Sequence, residues 1–528
     1  MHRFRPKLLA ALGALYLGGC TSAPRYRAPE TPLPEKFSGE PAGSLDKQAS
    51  RTVPGLEAVT RWWLVFHDAE LNALIDRATR QNLSLQLAVS RIREARAERA
   101  LLSAGLWPHL DATAGYDRGR GSKNVELPLG GTTSGSSGAP AKVVRAETDA
   151  PVGVNGGGAA ESGGGGAPIS PFGQGGLPGV TTNLYQVGFD ASWEIDVFGI
   201  TRRAVQAADA ATEAAEEDRR GALVSLLGEV ATTYVELRAV QEHRRIAEAN
   251  LAVQRDTLAI VQARFRNGLG TALEVEQQNA LVQATEAGIP ALDMAERTAG
   301  YALAFMLNEP PGALNAELSP ARELPALPAE VPVGVPSDLL RRRPDIRRAE
   351  RLLAAATAQV DVARAAWLPR FSLTGGFGFD SSNPGNLVGW DSRYYSIAPG
   401  IRWPLLDWAR LGANVHVVSE RQRQAFLAYS IAVAQALSDV ENALVRYEKG
   451  QDRRRALASA AEAERRAHDL AQADYEHGVT DFLAALDAQR GQLQAEDTLA
   501  QSDSDLRRDL IALYKALGGG WDPADPAQ

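Results

Sequence analysis

Four stretches of the chain alternate apolar and polar residues with a period of two. In the first, Leu110, Ala112, Ala114 and Tyr116 face one way, and His109, Asp111, Thr113 and Asp117 the other. In the second, Tyr185, Val187, Phe189, Ala191, Trp193 and Ile195 alternate with Gln186, Gly188, Asp190, Ser192 and Glu194. Phe371, Leu373, Phe377 and Phe379 alternate with Arg370, Ser372, Thr374 and Gly378 in the third. Tyr395, Ile397, Ile401 and Trp403 alternate with Ser396, Ala398 and Arg402 in the fourth. Side chains of a strand point to opposite faces in turn, so each stretch predicts a strand with one apolar and one polar face. An ordinary half-buried sheet would share the pattern.

The rest of the periodicity is helical. One helical region starts near Asp68 and runs towards Leu106, and another starts near Ser337 and stops before Pro369. Beyond them, residues 200–289 and 405–522 contain no proline. A single helix from Ile200 to Phe265 would measure roughly 100 Å at its per-residue rise. Leu411, Val415, Val418, Ala425, Tyr429, Ala432, Ala436, Val440, Ala443 and Tyr447 follow steps of three, four or seven. That is a heptad-like seam, and its alanines permit close helix contact. Asn267-Gly268 and His477-Gly478 predict tight turns, because glycine accepts the left-handed backbone at a helix end. A return helix follows each turn. The first carries Pro290, which predicts a kink or break, and the second stops at Leu517-Gly518-Gly519-Gly520-Trp521.

The two halves are copies of one another. Leu106-Trp107-Pro108-His109-Leu110 corresponds to Trp367-Leu368-Pro369-Arg370-Phe371 at an offset of 261 positions. Further along the offset falls to 210, pairing Trp193 with Trp403 and Phe265-Arg266-Asn267-Gly268 with Tyr475-Glu476-His477-Gly478. The lost length lies between Tyr116 and Trp193, where about 118–183 is rich in glycine and poor in large apolar groups. Such a stretch cannot bury enough surface to offset its ordering entropy, so it reads as a mobile surface loop between two strands. It lacks the pattern of a phosphate-binding loop. A duplicated unit predicts one architecture built twice.

The chain opens as an export signal. His2, Arg3, Arg5 and Lys7 precede a short apolar run from Leu8 to Leu17, too short to span a bilayer. Leu17-Gly18-Gly19-Cys20 follows, and Cys20 is the one cysteine, which excludes a disulfide framework. The four residues resemble a lipobox, which implies cleavage before Cys20, acylation of its thiol and, with Thr21 next, sorting to the outer membrane. Pro24, Pro29, Pro32, Pro34, Pro41 and Pro54 make 20–60 read as an extended tether. No later segment is apolar for long enough to be a membrane helix, so any crossing must be a closed β-barrel. A net charge of −8 disfavours non-specific nucleic-acid binding. Arg341 to Arg343 and Arg453 to Arg455 therefore read as ion-pairing groups.

Four strands cannot close a barrel, so strands set in lipid require several copies of the chain. Two copies would give eight strands and a plugged interior; three would give twelve and a channel. Long helices with an unpartnered apolar seam make the same demand and would form a hollow helical cylinder.

Specific motifs join these elements: Trp62-Trp63-x-x-Phe66-x-Asp68, Trp193-Glu194-Ile195-Asp196-Val197-Phe198-Gly199, Arg342-Arg343-Pro344-Asp345-Ile346 and the terminal Leu513-Tyr514-Lys515-Ala516-Leu517-Gly518-Gly519-Gly520-Trp521. In their order and over nearly all of Trp62 to Trp521, the chain resembles the TolC-like outer membrane factors, specifically the OprM/NodT-type efflux lipoproteins. The resemblance implies a mainly α fold with a transmembrane β-barrel, built from two pseudo-repeats, each a β-hairpin plus a long helical hairpin. It implies a homotrimer whose twelve-stranded barrel is continued by a periplasmic α-barrel. On this reading 1–19 is the signal peptide, 20–60 the tether, 61–308 the first repeat, 309–336 a linker, 337–518 the second repeat with its β-hairpin at about 369–405, and 519–528 a tail.

The functional residues implied by the resemblance lie at the turns. Asn267, Gly268, Leu269, His477, Gly478 and Val479 are expected to meet a periplasmic membrane-fusion adaptor, which links the duct to an inner-membrane pump of the resistance-nodulation-division type. Leu483, Asp487 and Arg490 are expected to form the periplasmic gate, Leu483 as an apolar plug and Asp487 as an acidic ring. Their spacing puts the three on one helix face. Leu273 and Gln277, the matching residues of the first copy, keep the leucine and lack the acid. No catalytic motif is present, and the seven histidines show no ligand spacing. The expected function is a passive exit duct of a tripartite efflux pump, with no cofactor or metal beyond the lipid on Cys20. The exit duct of a type I protein-secretion system and a non-porous periplasmic structural lipoprotein are the alternatives.

Overall fold

A computed structural model describes residues 26–29, 33, 34, 37, 51–53, 60–124 and 180–522. The signal sequence, Cys20, most of the tether, the interior of the glycine-rich insert (125–179) and residues 523–528 lie outside the described residues. The chain divides into two compact units.

The smaller unit is a four-stranded sheet. Strands β2 (His109–Arg120), β3 (Thr181–Ile195), β5 (Arg370–Ser381) and β6 (Arg393–Arg402) run antiparallel in the order β2-β3-β5-β6. Their register carries the sequence pattern across all four strands. Ala112 sits opposite Phe189, Phe189 opposite Phe377 and Phe377 opposite Tyr395. Asp111 sits opposite Asp190, which sits opposite Gly376 and then Ser396. Every apolar set therefore shares one face, and every polar set the other. The described residues cover neither face: Phe189, Phe377, Tyr395, Ile397 and Ile401 are exposed on one, Asp111, Thr113, Asp190 and Ser396 on the other. The strands extend beyond the predicted loop bounds, with β2 reaching Arg120 and β3 starting at Thr181.

The larger unit is helical. It contains α1 (Ala69–Gln81), α2 (Leu83–Ala104), α3 (Ile200–Arg266), α4 (Ala272–Met306), the single turn α5 (Asn315–Leu318), α6 (Pro336–Arg342), α7 (Pro344–Ala365), α8 (Trp408–Glu476) and α9 (Phe482–Ala516). A short parallel pair joins β1 (Arg51–Val53) to β4 (Glu330–Pro332). The duplication is visible in the bounds: α2 and α7 differ by the 261 offset at both ends, and α4 and α9 by 210.

The helical regions predicted from Asp68 and from Ser337 are each two helices, and the break has the same construction in both copies. Asn82 adopts an extended backbone, accepts from the Ser84 and Leu85 amides at 2.9 and 3.2 Å, and donates to the Met306 carbonyl at 2.8 Å. Arg343 is its counterpart, extended before Pro344 and donating to the Ala516 carbonyl at 3.0 Å. In each copy the residue at the break thus donates to the final carbonyl of that copy's return helix, α4 or α9.

Pro290 gives no break. The helix α4 runs through it, because Pro290 and Glu286 are both exposed and water can serve the carbonyl that proline leaves without a donor.

The core explains the sequence motifs. Trp62 and Phe66 lie on a short 3-10 turn, almost wholly buried, with Trp62 stacked on Tyr514 at 5.5 Å. Asp68 caps α1 by accepting from the Glu70 and Leu71 amides, and its other oxygen accepts from the Tyr234 hydroxyl at 2.8 Å. The terminal glycines let the chain fold back: Gly518 and Gly520 have φ of 72° and 109°, and a side chain on Gly520 would strike Leu227. Trp521 then donates to the Arg342 carbonyl at 3.1 Å, under the guanidinium groups of Arg220 and Arg347.

The tether is docked where it is described. Phe37 is buried in the helical core, and Tyr26 donates to the Glu350 carbonyl at 3.4 Å. The arginine runs pair locally, Arg343 with Asp345 and Asp439, Arg453 with Asp505, Arg454 with Asp503 and Arg455 with Asp452.

Candidate functional site

Both helical hairpins turn in the same way. After α3, Asn267 caps the helix, Gly268 takes φ 74°, and the Leu269 amide reaches back to the Arg264 carbonyl at 2.8 Å. After α8, His477 caps, Gly478 takes φ 73°, and the Val479 amide reaches the Asp474 carbonyl at 2.8 Å. This is the bonding of a Schellman close, which only a left-handed residue completes. The return helices start at side-chain caps: Thr271 accepts from the Glu274 amide and Asp481 from the Ala484 amide. Leu269 and Val479 are 70% and 75% exposed, so each turn presents one bare apolar side chain. A surface of that kind suits a protein partner.

Leu483, Asp487 and Arg490 all lie on the exposed face of the first three turns of α9. The opposite face, with Phe482, Ala485, Leu486 and Gln489, is buried. Neither Asp487 nor Arg490 forms an ion pair among the described residues of its own chain. Leu273 of the first copy is likewise exposed, at 66%, whereas Gln277 is half-buried.

A contact that the sequence pattern does not reveal ties the two hairpins together near their turns. Arg264 of α3 lies over the ring of Tyr475 of α8 at 4.6 Å and donates to its carbonyl at 3.3 Å. Beneath it, Val261 joins Tyr475, Phe482, Ala485 and Leu486 in a small core of their own. Burial pushes the Tyr475 phenol up, with Arg264 opposing. Further along, His243 of α3 meets Asp497 of α9 at 2.8 Å. Only the turn glycines and the period of α9 were readable beforehand, because a contact between distant helices leaves no local trace.

A cavity of about 670 Å³ opens elsewhere, among α3, α7, α8 and α9. Glu217 and Asp509 line it, and burial raises both carboxyls, against Arg347 and Arg220 at Glu217 and with the help of Asp505 at Asp509. Its charges are mixed and it lacks a constellation for chemistry. Among the described residues no group of three or more histidine, cysteine or acidic side chains could hold a metal ion. No described helix is long and apolar enough to cross a membrane.

The family model described as outer membrane efflux protein matches residues 74–309 and 335–519. The chain belongs to the outer membrane efflux protein family. Among its relatives, the pyoverdine export outer membrane protein OpmQ of Pseudomonas putida is 31% identical over 503 residues, 94% of this chain and 96% of that protein. Nodulation protein T of Rhizobium leguminosarum bv. trifolii is 29% identical over 519 residues, 97% of each. Among solved structures, that of the outer-membrane channel OprN superposes with a TM-score of 0.79 at 33% identity, covering 95% of this chain and all of that one. The family's members are channels, and the two-faced sheet with its long helical hairpins is their fold. This efflux protein works in the outer membrane and extends into the periplasm.

Proposed function

We propose that three copies of the chain assemble into the exit duct of a tripartite efflux pump, passing small molecules outward without catalysing any step. The observation that carries this is the sheet: the apolar sets of all four strands share one face, the polar sets the other, and the described residues leave both bare. Its edges, β2 and β6, have no strand partner among the described residues. Four strands are too few to close, and β6 of one copy can pair antiparallel with β2 of the next until twelve strands make a ring. An even, antiparallel barrel with a polar lumen and an apolar belt is what a bilayer permits. The helical hairpins pool in the same manner into a hollow cylinder that covers their apolar seams.

The turns at Asn267, Gly268, Leu269 and at His477, Gly478, Val479 are the proposed docking points of a periplasmic adaptor, which connects the duct to an inner-membrane pump of the resistance-nodulation-division type. Leu483, Asp487 and Arg490 form the gate. Adaptor binding favours the open arrangement of the helix ends and so shifts the closed population. Energy comes from the partners. The matching family and the export and efflux names of the relatives support this reading. Planar-bilayer recording tests it: the purified protein is expected to give a small, mostly closed conductance, and an intact trimer with no conductance at all would overturn it.

Cys20 is the proposed lipid attachment site, the chain's sole covalent addition. The intact mass of the native protein should exceed that of its lipid-free sequence by the acyl and glyceryl groups, an excess absent from Cys20→Ser; a native mass equal to the lipid-free value would exclude acylation.

A further inference from the structure

Tyr394 lies on the polar face of the sheet, at the second position of β6, in register with Gly378 of β5, which is in register with Gly188 of β3. Both partners lack side chains, and the tyrosine uses the space. A Cβ on Gly188 would meet the Tyr394 hydroxyl oxygen at 2.8 Å and the Phe377 carbonyl oxygen at 2.9 Å; a Cβ on Gly378 would meet the Val187 carbonyl oxygen at 2.5 Å, Gly188 Cα at 2.7 Å and ring atom Cε1 at 2.9 Å. Gly376, one step along the same face, lies under Cε2. The ring therefore does not stand off the sheet as strand side chains ordinarily do; it lies across two neighbouring strands, over three glycines. Glycine inside a strand weakens it unless a neighbour covers the gap, and an aromatic ring laid over the backbone does so.

We propose that the Gly188–Gly378 pair is a recess that holds Tyr394 flat against the wall, and that this keeps the lumen of the barrel wide enough for cargo. The inference rests on the reading of the polar face as the lumen. In a trimer the same row contributes three rings, so their posture sets the width of the duct at that level. Tyr394 follows directly after the β5–β6 connection, on the side of the sheet away from the ends that lead into the helices. Ser372, near the start of β5 and on the same polar face, lies at the other end, six residues from Gly378. A solute entering from outside passes the Tyr394 row before it reaches Ser372.

The test reads that passage and is independent of the periplasmic gate. Ser372→Cys is introduced in whole cells, and its modification by an external polyethylene-glycol maleimide too bulky for general porins is timed. The expected result is steady labelling, unchanged when Tyr394→Ala is added, slowed about tenfold by Gly188→Ala, which lifts the ring into the bore, and restored by Gly188→Ala with Tyr394→Ala. A merely structural role for Gly188 would not be rescued by removing the ring. Two results overturn the proposal: faster labelling in Tyr394→Ala, showing a ring that already obstructs, or undiminished labelling in an assembled Gly188→Ala protein. If Gly188→Ala does not assemble, faster labelling in Tyr394→Ala still overturns the proposal. Failure of Ser372→Cys to react in any background would instead refute the lumen assignment beneath it.

Discussion

Replacing Glu70 with alanine is expected to destabilise the helical unit by about 3–5 kcal/mol, the cost of stranding a buried charge. Its partner Arg238 is fully buried and pairs with Glu70 through Nη2. The other contacts of Arg238 are neutral: the Gln241 side chain at 2.6 Å and the carbonyls of Leu318 and Pro320 at 3.2 and 2.9 Å. These serve Nη1 but leave the charge unmatched, and the buried Nε has no partner among the described residues. Glu70 also accepts from Tyr234 at 3.2 Å and lies 3.4 Å from Arg322, which is half exposed and offers little compensation. Glu70→Gln keeps a hydrogen-bond acceptor and should fall between wild type and Glu70→Ala. Chemical denaturation of the detergent-solubilised protein, followed by helical circular dichroism, makes the comparison. A loss below about 1 kcal/mol for Glu70→Ala would mean that Arg238 finds water or another acid, and that the pair does not hold the helices together.

Asp487→Ala is expected to open the channel. Asp487 and Arg490 are exposed, one turn apart, and without an ion pair among the described residues of their own chain. In the proposed trimer the partner of each would lie on a neighbouring copy, and closure would rest on pairs formed between copies. Removing the acid leaves Arg490 unpaired and weakens the closed arrangement. An open population about tenfold larger corresponds to roughly 1.4 kcal/mol per gate, a modest demand on three such contacts. Leu273→Ala in the first copy, where no acid stands, is the control and should change little. Single-channel recording reads both. Equal open fractions in wild type and Asp487→Ala would remove Asp487 from the gate.

Much of the fold was legible because duplication exposes it. Pro108 and Pro369 fix the same 261 offset that relates β2 to β5, and Gly268 and Gly478 fix the 210 offset that relates the two turns. The strand faces could be read from alternation alone, since the register keeps Ala112, Phe189, Phe377 and Tyr395 in one row. What escaped was set by distant contacts. The break at Asn82 interrupts a continuous helical pattern because that side chain serves a carbonyl 224 residues away. Pro290 bent expectation the other way, since its cost depends on whether water reaches Glu286, which periodicity does not reveal. Arg264 over Tyr475, and Tyr394 in its glycine recess, join elements that no local rule connects. At the proposed gate, sequence placed Leu483, Asp487 and Arg490 on one face; only the structure showed that this face is the bare one.

Everything functional depends on neighbouring chains covering the faces that one chain leaves exposed. Native mass spectrometry of the full-length protein released from detergent measures this most directly. The account predicts a single species of three chains, resistant to mild activation because strand edges and helix seams are shared. A species of one chain, with both faces of its sheet still folded and no larger assembly at any concentration, would contradict it.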